Sequence, residues 1–299
     1  MKAFSMKNLR GALVLFILFL NTVFWFFPLV IFALLRGISP ANSLKVFFNK
    51  NCSRMASMWV SCNSFIFASL NKTKWSIEGN DQLTVENWYL ILANHLSWVD
   101  IIVLQTVLNN KVPFLKFFIK RELFWIPFLG IAWWALDMPF MQRYSKSYLA
   151  KFPNKKGQDI KATQKACKKF QDNPTSVINF VEGTRCNEEK RKETNSPFKN
   201  LLAPKAGGIS LALSSMGEMF NKILDVTIVY PDGTVSFWDL LCGGFDRVIV
   251  DIKKIDIEDW MLVNDYHESS QNKEKFQNWL NRLWEEKDNK ISEIKHGLL

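Results

Sequence analysis

Acidic residues are missing from the first quarter of this 299-residue chain. Residues 1–77 contain nine Lys or Arg and no Asp or Glu, and the first acid is Glu78. The remainder holds 29 basic and 28 acidic residues, so the formal net charge of +10 belongs almost wholly to the N-terminal part. A nucleic-acid-binding protein more often carries its excess charge on the folded domain. We therefore expect no nucleic-acid partner, and basic residues around apolar stretches suit an anionic membrane surface.

Cysteine is also scarce, and its spacing forms no pattern. The five cysteines form no C-x-x-C pair and stand at Cys52, Cys62, Cys167, Cys186 and Cys242. Neither a disulfide framework nor a zinc site is indicated, and a reducing, cytoplasm-facing compartment is favoured. We expect no metal and no bound cofactor. The sequence also lacks a G-x-S-x-G elbow and a P-loop pattern, which argues against a serine hydrolase and a P-loop NTPase.

Long apolar runs are present near the N-terminus. Residues 11–35 are 25 consecutive uncharged positions, about 37 Å as a helix at about 1.5 Å per residue. Because a bilayer core is roughly 30 Å thick, this run predicts a membrane helix. A cleaved signal peptide fits less well, since the run is too long and no small-residue cleavage site follows.

A second uncharged run covers residues 55–71. It pairs with the first run as a helical hairpin, lies in the membrane interface, or forms a buried core helix. Basic residues lie on both sides of residues 11–35, so the positive-inside rule gives no orientation. A re-entrant pair of helices that enters and leaves on the cytoplasmic side explains both basic flanks. The apolar residues 123–135 are too short for a span and suit a segment that rests on the membrane.

The pattern changes at about Trp75 to short apolar runs that alternate with helical periods. Strands are predicted at 88–93, 136–141, 176–181, 225–230 and 247–255, and helices at 97–108, 159–171, 203–219 and around 276–284. This alternation predicts an α/β fold with a mixed, mostly parallel sheet flanked by helices. We place N-terminal membrane-anchoring helices at 1–74 and the α/β domain at 75–299. Ligands of such sheets bind at the carboxyl ends of the strands.

Only three histidines are present, and only His95 follows a predicted buried strand. Five residues on one helix separate two side chains by about 140°, so His95 meets Asp100 only from the turn before the helix. Ser97 is the predicted N-cap there. Asp100 would then fix the His95 tautomer, leaving the other ring nitrogen to take a hydroxyl proton. The alternative is that Asp100 only caps its helix, because Ser97-x-x-Asp100 is also a capping pattern.

A second group of candidate residues follows the predicted strand 176–181. Gly183 permits a close backbone approach, Thr184 offers a hydroxyl, and Arg185 can hold a phosphate through two parallel hydrogen bonds. Arg143 follows the strand 136–141 and would supply a second cation at the same sheet edge. The following stretch, 143–169, contains nine basic residues and one acid. It forms either a basic face toward anionic groups or a solvated face.

Together these residues resemble the glycerolipid acyltransferase family of the 1-acylglycerol-3-phosphate acyltransferase type. Asn94-His95-x4-Asp100 resembles its first motif, Arg143 its second, and Phe180-x-Glu182-Gly183-Thr184-Arg185 its third. Residues 229–231 resemble a weak fourth motif, and residues 117–130, with Lys120, resemble the stretch between the first two. The family commonly has Pro where this chain has Val181. The run 134–145 resembles a bacterial subgroup with an N-terminal membrane segment, and also eukaryotic enzymes that accept several headgroups.

The resemblance implies a transfer of a fatty acyl group from acyl-CoA or acyl-ACP to the sn-2 hydroxyl of 1-acylglycerol-3-phosphate. It implies His95 as the base and Asp100 as its orienting partner. A further set of residues would bind substrate: Lys120, Arg143, Glu182, Gly183, Thr184 and Arg185. It also implies a bacterial inner-membrane enzyme whose catalytic domain faces the cytoplasm, with the bilayer, the lysophospholipid acceptor and the acyl donor as partners. The alternatives are another lysophospholipid acceptor and a non-catalytic membrane adaptor.

Overall fold

The computed structural model describes residues 6–141, 170, 173–233, 235–262 and 270–297. The described α-helices are α1 Met6–Ile38, α2 Asn42–Leu70, α3 Val99–Leu108, α4 Leu129–Ala135, α5 Glu188–Glu193, α6 Gly207–Met216, α7 Phe237–Cys242 and α8 Ser270–Lys295. Short 3₁₀ helices cover Arg121–Trp125, Gly217–Met219 and Asp259–Met261. The strands are β1 Lys74–Glu78, β2 Tyr89–Ala93, β3 Leu115–Phe117, β4 Ile119–Lys120, β5 Phe140–Met141, β6 Ser176–Phe180, β7 Lys222–Val229 and β8 Arg247–Ile255.

The two N-terminal helices form an antiparallel hairpin. Polar side chains join them along their length: Asn21 Nδ2 donates to Asn63 Oδ1 at 2.8 Å, and Arg36 Nη1 donates to Asn49 Oδ1 at 3.0 Å. Among the described helices, only α1 is both long and apolar enough to cross a membrane. The helix α2 begins earlier than the second uncharged run, because the charged residues before Met55 continue the same helix.

One face of α1 packs against the rest of the protein. Val14 is 1% exposed and joins the apolar core cluster that includes the central strand β2. Farther along, the Phe26 ring packs edge-on against Phe128, with ring centroids 5.1 Å apart. Near the C-terminal end, Arg36 Nη1 lies 2.6 Å from Asp137 Oδ2. The helix therefore contacts the folded domain near both of its ends and in its middle.

The opposite face of α1 carries a continuous apolar stripe. Its members are exposed and recur at three- and four-residue spacing, the period of one helix face: Leu9, Leu13, Phe16, Leu20, Phe24, Phe27, Ile31 and Leu34. The described residues cover the buried face of the helix but leave this stripe uncovered. An exposed apolar patch of this length marks an interaction surface.

The domain after the hairpin is built on a six-stranded sheet. The strand order is β1-β8-β7-β2-β6-β3, with β7 and β8 antiparallel and the other neighbours parallel. The sheet separates two apolar clusters, and α8 packs on one side through the fully buried Trp284. The predicted α/β fold with a mixed, mostly parallel sheet is confirmed. The boundary at 74 coincides with the start of β1 and otherwise stays a prediction.

Two predicted elements differ from the structure. The predicted strand 136–141 is only two residues long, because Asp137 adopts a positive φ of 55° in the turn that follows α4. The apolar residues 123–135 form no single segment, since Pro127 and Phe128 lie between a 3₁₀ helix and α4. The predicted helix 159–171 lies almost wholly outside the described residues. The other predicted strands are present within two or three residues of their expected bounds.

Candidate active site

Three parallel neighbours bring their carboxyl ends together at one edge of the sheet. In the register, Ala93 at the end of β2 pairs with Phe180 of β6 on one side and Val226 of β7 on the other. The residues that follow β2 and β6 are the two predicted motifs. The third strand, β7, is longer and continues to Val229 at the same edge. The sequence prediction that both motifs lie at one sheet edge is therefore confirmed.

A buried asparagine fixes the first motif to the sheet. Asn94 is fully buried; its Nδ2 donates to the Ile228 carbonyl at 2.9 Å, and its Oδ1 accepts from the Ile228 N–H at 2.8 Å. The side-chain amide thus replaces one pair of backbone hydrogen bonds between β2 and β7. Because both bonds satisfy buried polar groups, they hold the start of the His95 turn firmly.

His95 and Asp100 lie in direct contact. His95 Nδ1 lies 2.9 Å from Asp100 Oδ2, and the Asp100 side chain is fully buried. The same oxygen accepts the backbone N–H groups of Leu96 and Ser97 at 2.6 and 2.8 Å. Asp100 therefore contacts the histidine and also accepts the backbone N–H groups that precede α3. The geometry is compatible with both interpretations of the sequence, an orienting partner for His95 and a cap of the helix.

Ser97 lies at the start of α3 as predicted, one residue before the position that the helix bounds define as the cap. The helix α3 begins at Val99 with Trp98 at the cap and no side-chain cap bond. The Ser97 hydroxyl instead donates to the Val235 carbonyl and accepts from the Val99 N–H at 3.1 Å. The bond from the Val99 N–H is the contact that an N-cap side chain makes, and the bond to Val235 joins the same hydroxyl to the segment before α7.

The His95 ring also stacks on an aromatic ring from the neighbouring strand. The Phe180 ring lies parallel to it, with centroids 4.0 Å apart and planes 16° apart. Only 13% of the His95 side chain is exposed. The stack on one face and the Asp100 bond at Nδ1 restrict the ring to one orientation, in which Nε2 is the remaining nitrogen.

The Glu182 side chain is buried against the His95 backbone and does not face solvent. It is fully buried, and its carboxylate accepts the N–H of His95 at Oε1 and the N–H of Leu202 at Oε2, both at 2.9 Å. Burial raises the pKa of Glu182 from 4.5 to about 7, although the two backbone donors lower it. The Cys186 N–H, just after the third motif, donates to the His95 carbonyl at 2.7 Å, so the segment from Glu182 to Cys186 holds the His95 backbone on both sides.

The rest of the third motif turns toward solvent. Gly183 has a φ of 71°, the left-handed region that favours glycine. Arg185 is exposed, and its guanidinium lies 5.0 Å from the ring centroid of Trp98 in the first motif. Thr184 Oγ1 accepts from Lys190 Nζ at 2.9 Å. Sequence reasoning missed Trp98, because its contact with Arg185 joins two separate segments.

The remaining predicted substrate-binding residues are Arg143 and Lys120. Arg143 lies outside the described residues. Lys120 is exposed and belongs to the separate two-stranded sheet, where it pairs with Met141. Within the described ranges, which omit 142–169 and a few shorter segments, no three His, Cys, Asp or Glu side chains cluster closely enough to hold a metal ion.

The comparison with protein families agrees with this arrangement. The Acyltransferase family model matches residues 74–231, just over half of the chain. The chain therefore belongs to the acyltransferase family. The matched residues include His95, Asp100 and the Glu182–Arg185 loop.

Several curated proteins are similar to this chain. A probable 1-acyl-sn-glycerol-3-phosphate acyltransferase 5 from Arabidopsis thaliana is 25% identical over 255 residues, which cover 79% of this chain and 62% of that protein. The human 1-acyl-sn-glycerol-3-phosphate acyltransferase gamma is 24% identical over 225 residues, covering 70% and 54% respectively. A 2-acyl-1-lysophosphatidylinositol acyltransferase from Saccharomyces cerevisiae is 24% identical over 133 residues, covering 38% and 32%. The chain thus spans less than two thirds of the length of these relatives.

A solved structure shares the fold. The crystal structure of a 1-acyl-sn-glycerophosphate (LPA) acyltransferase from Thermotoga maritima matches with a TM-score of 0.56 and 17% identity. The match covers 97% of this chain and 98% of that one, so it includes the N-terminal helices. At this identity the likeness establishes the architecture alone.

Proposed function

We propose that this protein transfers a fatty acyl group from an acyl thioester, acyl-CoA or acyl-ACP, to the sn-2 hydroxyl of 1-acylglycerol-3-phosphate. The observation that carries the proposal is the 2.9 Å contact between His95 Nδ1 and Asp100 Oδ2, in a loop bonded to the third motif. A thioester is already activated, so the reaction needs only a deprotonated hydroxyl and a way to position it. His95 supplies the first and the Arg185 loop the second.

The proposed reaction is a direct transfer. His95 Nε2 takes the proton of the acceptor hydroxyl while Asp100 stabilises the imidazolium that forms. The hydroxyl oxygen attacks the thioester carbonyl carbon, a C–O bond forms, and the C–S bond breaks. The thiolate leaves with the proton from His95. No covalent acyl-enzyme forms, so no nucleophilic side chain is required.

Arg185 is the proposed contact for the acceptor phosphate. Its guanidinium is exposed and held over the Trp98 ring, and a planar guanidinium suits a phosphate through paired hydrogen bonds. Gly183 and Thr184 shape the same loop, and Arg143 and Lys120 remain proposed additional cations. Glu182 receives a different role from the substrate contact that the resemblance implied. Because its carboxylate is buried between two backbone N–H groups, we assign it to positioning His95.

We also propose that α1 and α2 lie in one leaflet and do not cross the bilayer. A helix of 33 residues is about 50 Å long at about 1.5 Å per residue, yet it contacts the folded domain near both ends. If α1 crossed the bilayer, the parts of the folded domain that contact it would have to extend through the hydrocarbon core. The exposed stripe from Leu9 to Leu34 instead suits an interfacial helix with its apolar face in the lipid. Both basic flanks then lie on one side, which we take to be the cytoplasmic side of a bacterial inner membrane.

This placement serves the chemistry. An acyl chain of about 15 methylenes gains roughly 12 kcal/mol by staying in lipid at about 0.8 kcal/mol per methylene. Extracting the acceptor into water would add a barrier of that order. An enzyme anchored in the leaflet that holds its acceptor avoids that cost.

A second candidate acceptor is another lysophospholipid. The similarity to the yeast lysophosphatidylinositol enzyme favours it. A non-catalytic adaptor is less well supported. An adaptor has no chemical need for a buried aspartate aligned on a histidine.

The test is an acceptor panel with the purified full chain. Labelled acyl-CoA and acyl-ACP are each offered with 1-acylglycerol-3-phosphate and with lysophospholipids that carry choline, ethanolamine, glycerol or inositol headgroups. Products are identified by mass. We expect the highest kcat/KM with 1-acylglycerol-3-phosphate. If another headgroup gives a higher kcat/KM, the proposed acceptor is wrong. If no donor and acceptor pair gives product, the proposed activity is refuted.

A further inference from the structure

A tyrosine from the third strand end contacts the same carboxylate as His95. Tyr230 directly follows β7 and is 3% exposed. Its hydroxyl donates to Asp100 Oδ1 at 2.8 Å. The ring is held edge-on against Phe245, with centroids 6.0 Å apart and planes at 90°. The hydroxyl therefore has a fixed direction toward the carboxylate.

The two oxygens of the Asp100 carboxylate have different partners. Oδ2 accepts the N–H groups of Leu96 and Ser97 and contacts His95 Nδ1, while Oδ1 accepts the Tyr230 hydroxyl. Asp100 is fully buried, so each of these donors stabilises its negative charge in place of water. A donor at Oδ1 also draws carboxylate charge away from the imidazolium at Oδ2.

The Tyr230 hydroxyl stays protonated in this position. Burial raises the pKa of Tyr230 well above 10, and the neighbouring Asp100 charge raises it further. Tyr230 therefore acts as a permanent hydrogen-bond donor and does not exchange a proton with the pair during turnover.

We propose that Tyr230 is a positioning residue that tunes the basicity of His95 through Asp100. The inference rests on the proposed role of His95 as the general base. With the hydroxyl present, the carboxylate stabilises the imidazolium less, so His95 more readily returns to the neutral form that accepts a proton. Removal of the hydroxyl concentrates the carboxylate charge at Oδ2 and strengthens the hold of His95 on its proton.

Other charged groups act on His95 from the elements around it. Glu182 approaches from the loop after β6 and contacts the His95 backbone, and burial raises its pKa to about 7. Arg185 lies over Trp98 on the open side, and Lys287 influences Glu182 from α8. A pH profile of activity alone would combine these titrations. The test must therefore observe the His95 ring itself.

The sequence offers a matched control for a merely structural role. Tyr89 is 2% exposed at the start of β2, at the opposite end of that strand from the His95 turn. Its hydroxyl accepts from the Thr84 N–H at 3.1 Å and from Asn87 Nδ2 at 3.4 Å. Tyr89→Phe removes a buried hydroxyl just as Tyr230→Phe does, but it does not touch Asp100.

The experiment is a proton titration of histidine by NMR on the purified full chain in lipid nanodiscs, labelled with ¹³C at the histidine ring. With three histidines in the sequence, His95→Ala assigns the His95 signal. We expect Tyr230→Phe to move the His95 titration midpoint upward by about half to one pH unit. Tyr89→Phe should move the same midpoint by less than about 0.2 pH unit. An unchanged midpoint in Tyr230→Phe, or an equal shift in both variants, overturns the inference.

A second variant keeps the test valid if Tyr230→Phe does not fold. 3-Fluorotyrosine at position 230 retains the hydroxyl and makes it a stronger donor, so the midpoint should fall below that of the wild type. A rise or no change contradicts the inference. In kinetics, Tyr230→Phe should shift the acidic limb of kcat to higher pH and leave the acceptor KM unchanged. The NMR signal does not require turnover, so failure of the proposed function is distinguishable from failure of this inference.

Discussion

Glu182 Oε1 accepts the backbone N–H of His95 at 2.9 Å from a fully buried position. The other carboxylate oxygen accepts the Leu202 N–H at the same distance. A single side chain thus joins the turn after β2 to the segment before α6. The alignment of His95 depends on this support as well as on Asp100.

Glu182→Gln should destabilise the protein and lower kcat. A glutamine offers one acceptor oxygen and one donor amide, so one of the two backbone N–H groups would face another donor. Leaving such a buried group unsatisfied costs about 1–3 kcal/mol. We expect a lower melting temperature and a reduced kcat with a nearly unchanged thioester KM, measured by thermal unfolding and steady-state kinetics at pH 7.5. Glu218→Gln, a change at a surface residue of the 3₁₀ helix after α6, is the control and should alter neither.

The difference in melting temperature between wild type and Glu182→Gln should depend on pH, and the pKa of Glu182 sets the sign of that dependence. Because burial raises the folded pKa of Glu182 to about 7 from an unfolded value near 4.5, the folded state binds more protons between these values. The contribution of Glu182 to stability is therefore fully present below about pH 4.5 and lost as the pH rises through 7. The difference in melting temperature between wild type and Glu182→Gln should narrow over this range. A difference that widens with pH would mean that the two backbone donors outweigh burial.

Arg185 should act on the acceptor and not on the thioester. We expect Arg185→Ala to raise the acceptor KM at least tenfold, because it removes the proposed phosphate contact, and to change the thioester KM less than twofold. Trp98→Leu should raise the acceptor KM about two- to fivefold, since a partly exposed cation–π contact is worth about 0.5–1 kcal/mol. Initial rates over both substrate concentrations separate the two effects.

Trp75→Leu on the edge strand β1 is the control for loss of an indole, because Trp75 is also exposed but lies outside the site. In the Arg185→Ala background, Trp98→Leu should have almost no further effect on the acceptor KM. Additive effects would mean that Trp98 does not act through Arg185.

The hairpin proposal predicts that both ends of α1 face the same side of the membrane. Single cysteines at Met6 and Gly37 suit the test, because Met6 is 89% exposed and a Cβ at Gly37 meets no atom within 4 Å. In a background without native cysteines, a membrane-impermeant maleimide should label both variants in inside-out vesicles and neither in intact spheroplasts. Labelling of the two sites from opposite sides would establish a crossing helix.

Most of the fold was predictable, and the reasons are local. Buried strands such as those predicted at 88–93 and 176–181 are short apolar runs, and the motifs follow them directly. The sequence could not decide how α1 meets the membrane, because nearly all residues from Gly11 to Leu35 are apolar. The proposed interfacial placement rests on which face of α1 the domain covers, and the contacts of Val14 and Arg36 that show this face exist only in the folded structure.

The candidate site was predictable where its residues are close in sequence. His95 and Asp100 share a turn, so their spacing restricts their geometry. Tyr230 lies 130 residues from Asp100, and the sequence signals were its place at the end of a predicted strand and its membership of the weak fourth motif at 229–231. The resemblance implied a substrate contact for Glu182, whereas the burial that supports its proposed positioning role is a property of the fold.

The central claim is that His95 removes the proton from the acceptor hydroxyl. The most direct measurement compares acyl transfer by purified wild type, His95→Ala and His296→Ala, with 1-acylglycerol-3-phosphate and labelled acyl-CoA as substrates. His296 is exposed just after α8 and serves as the matched control. We predict that His95→Ala lowers kcat by about 10²–10⁴-fold while its melting temperature stays near that of wild type. Near-normal turnover by folded His95→Ala would contradict the claim.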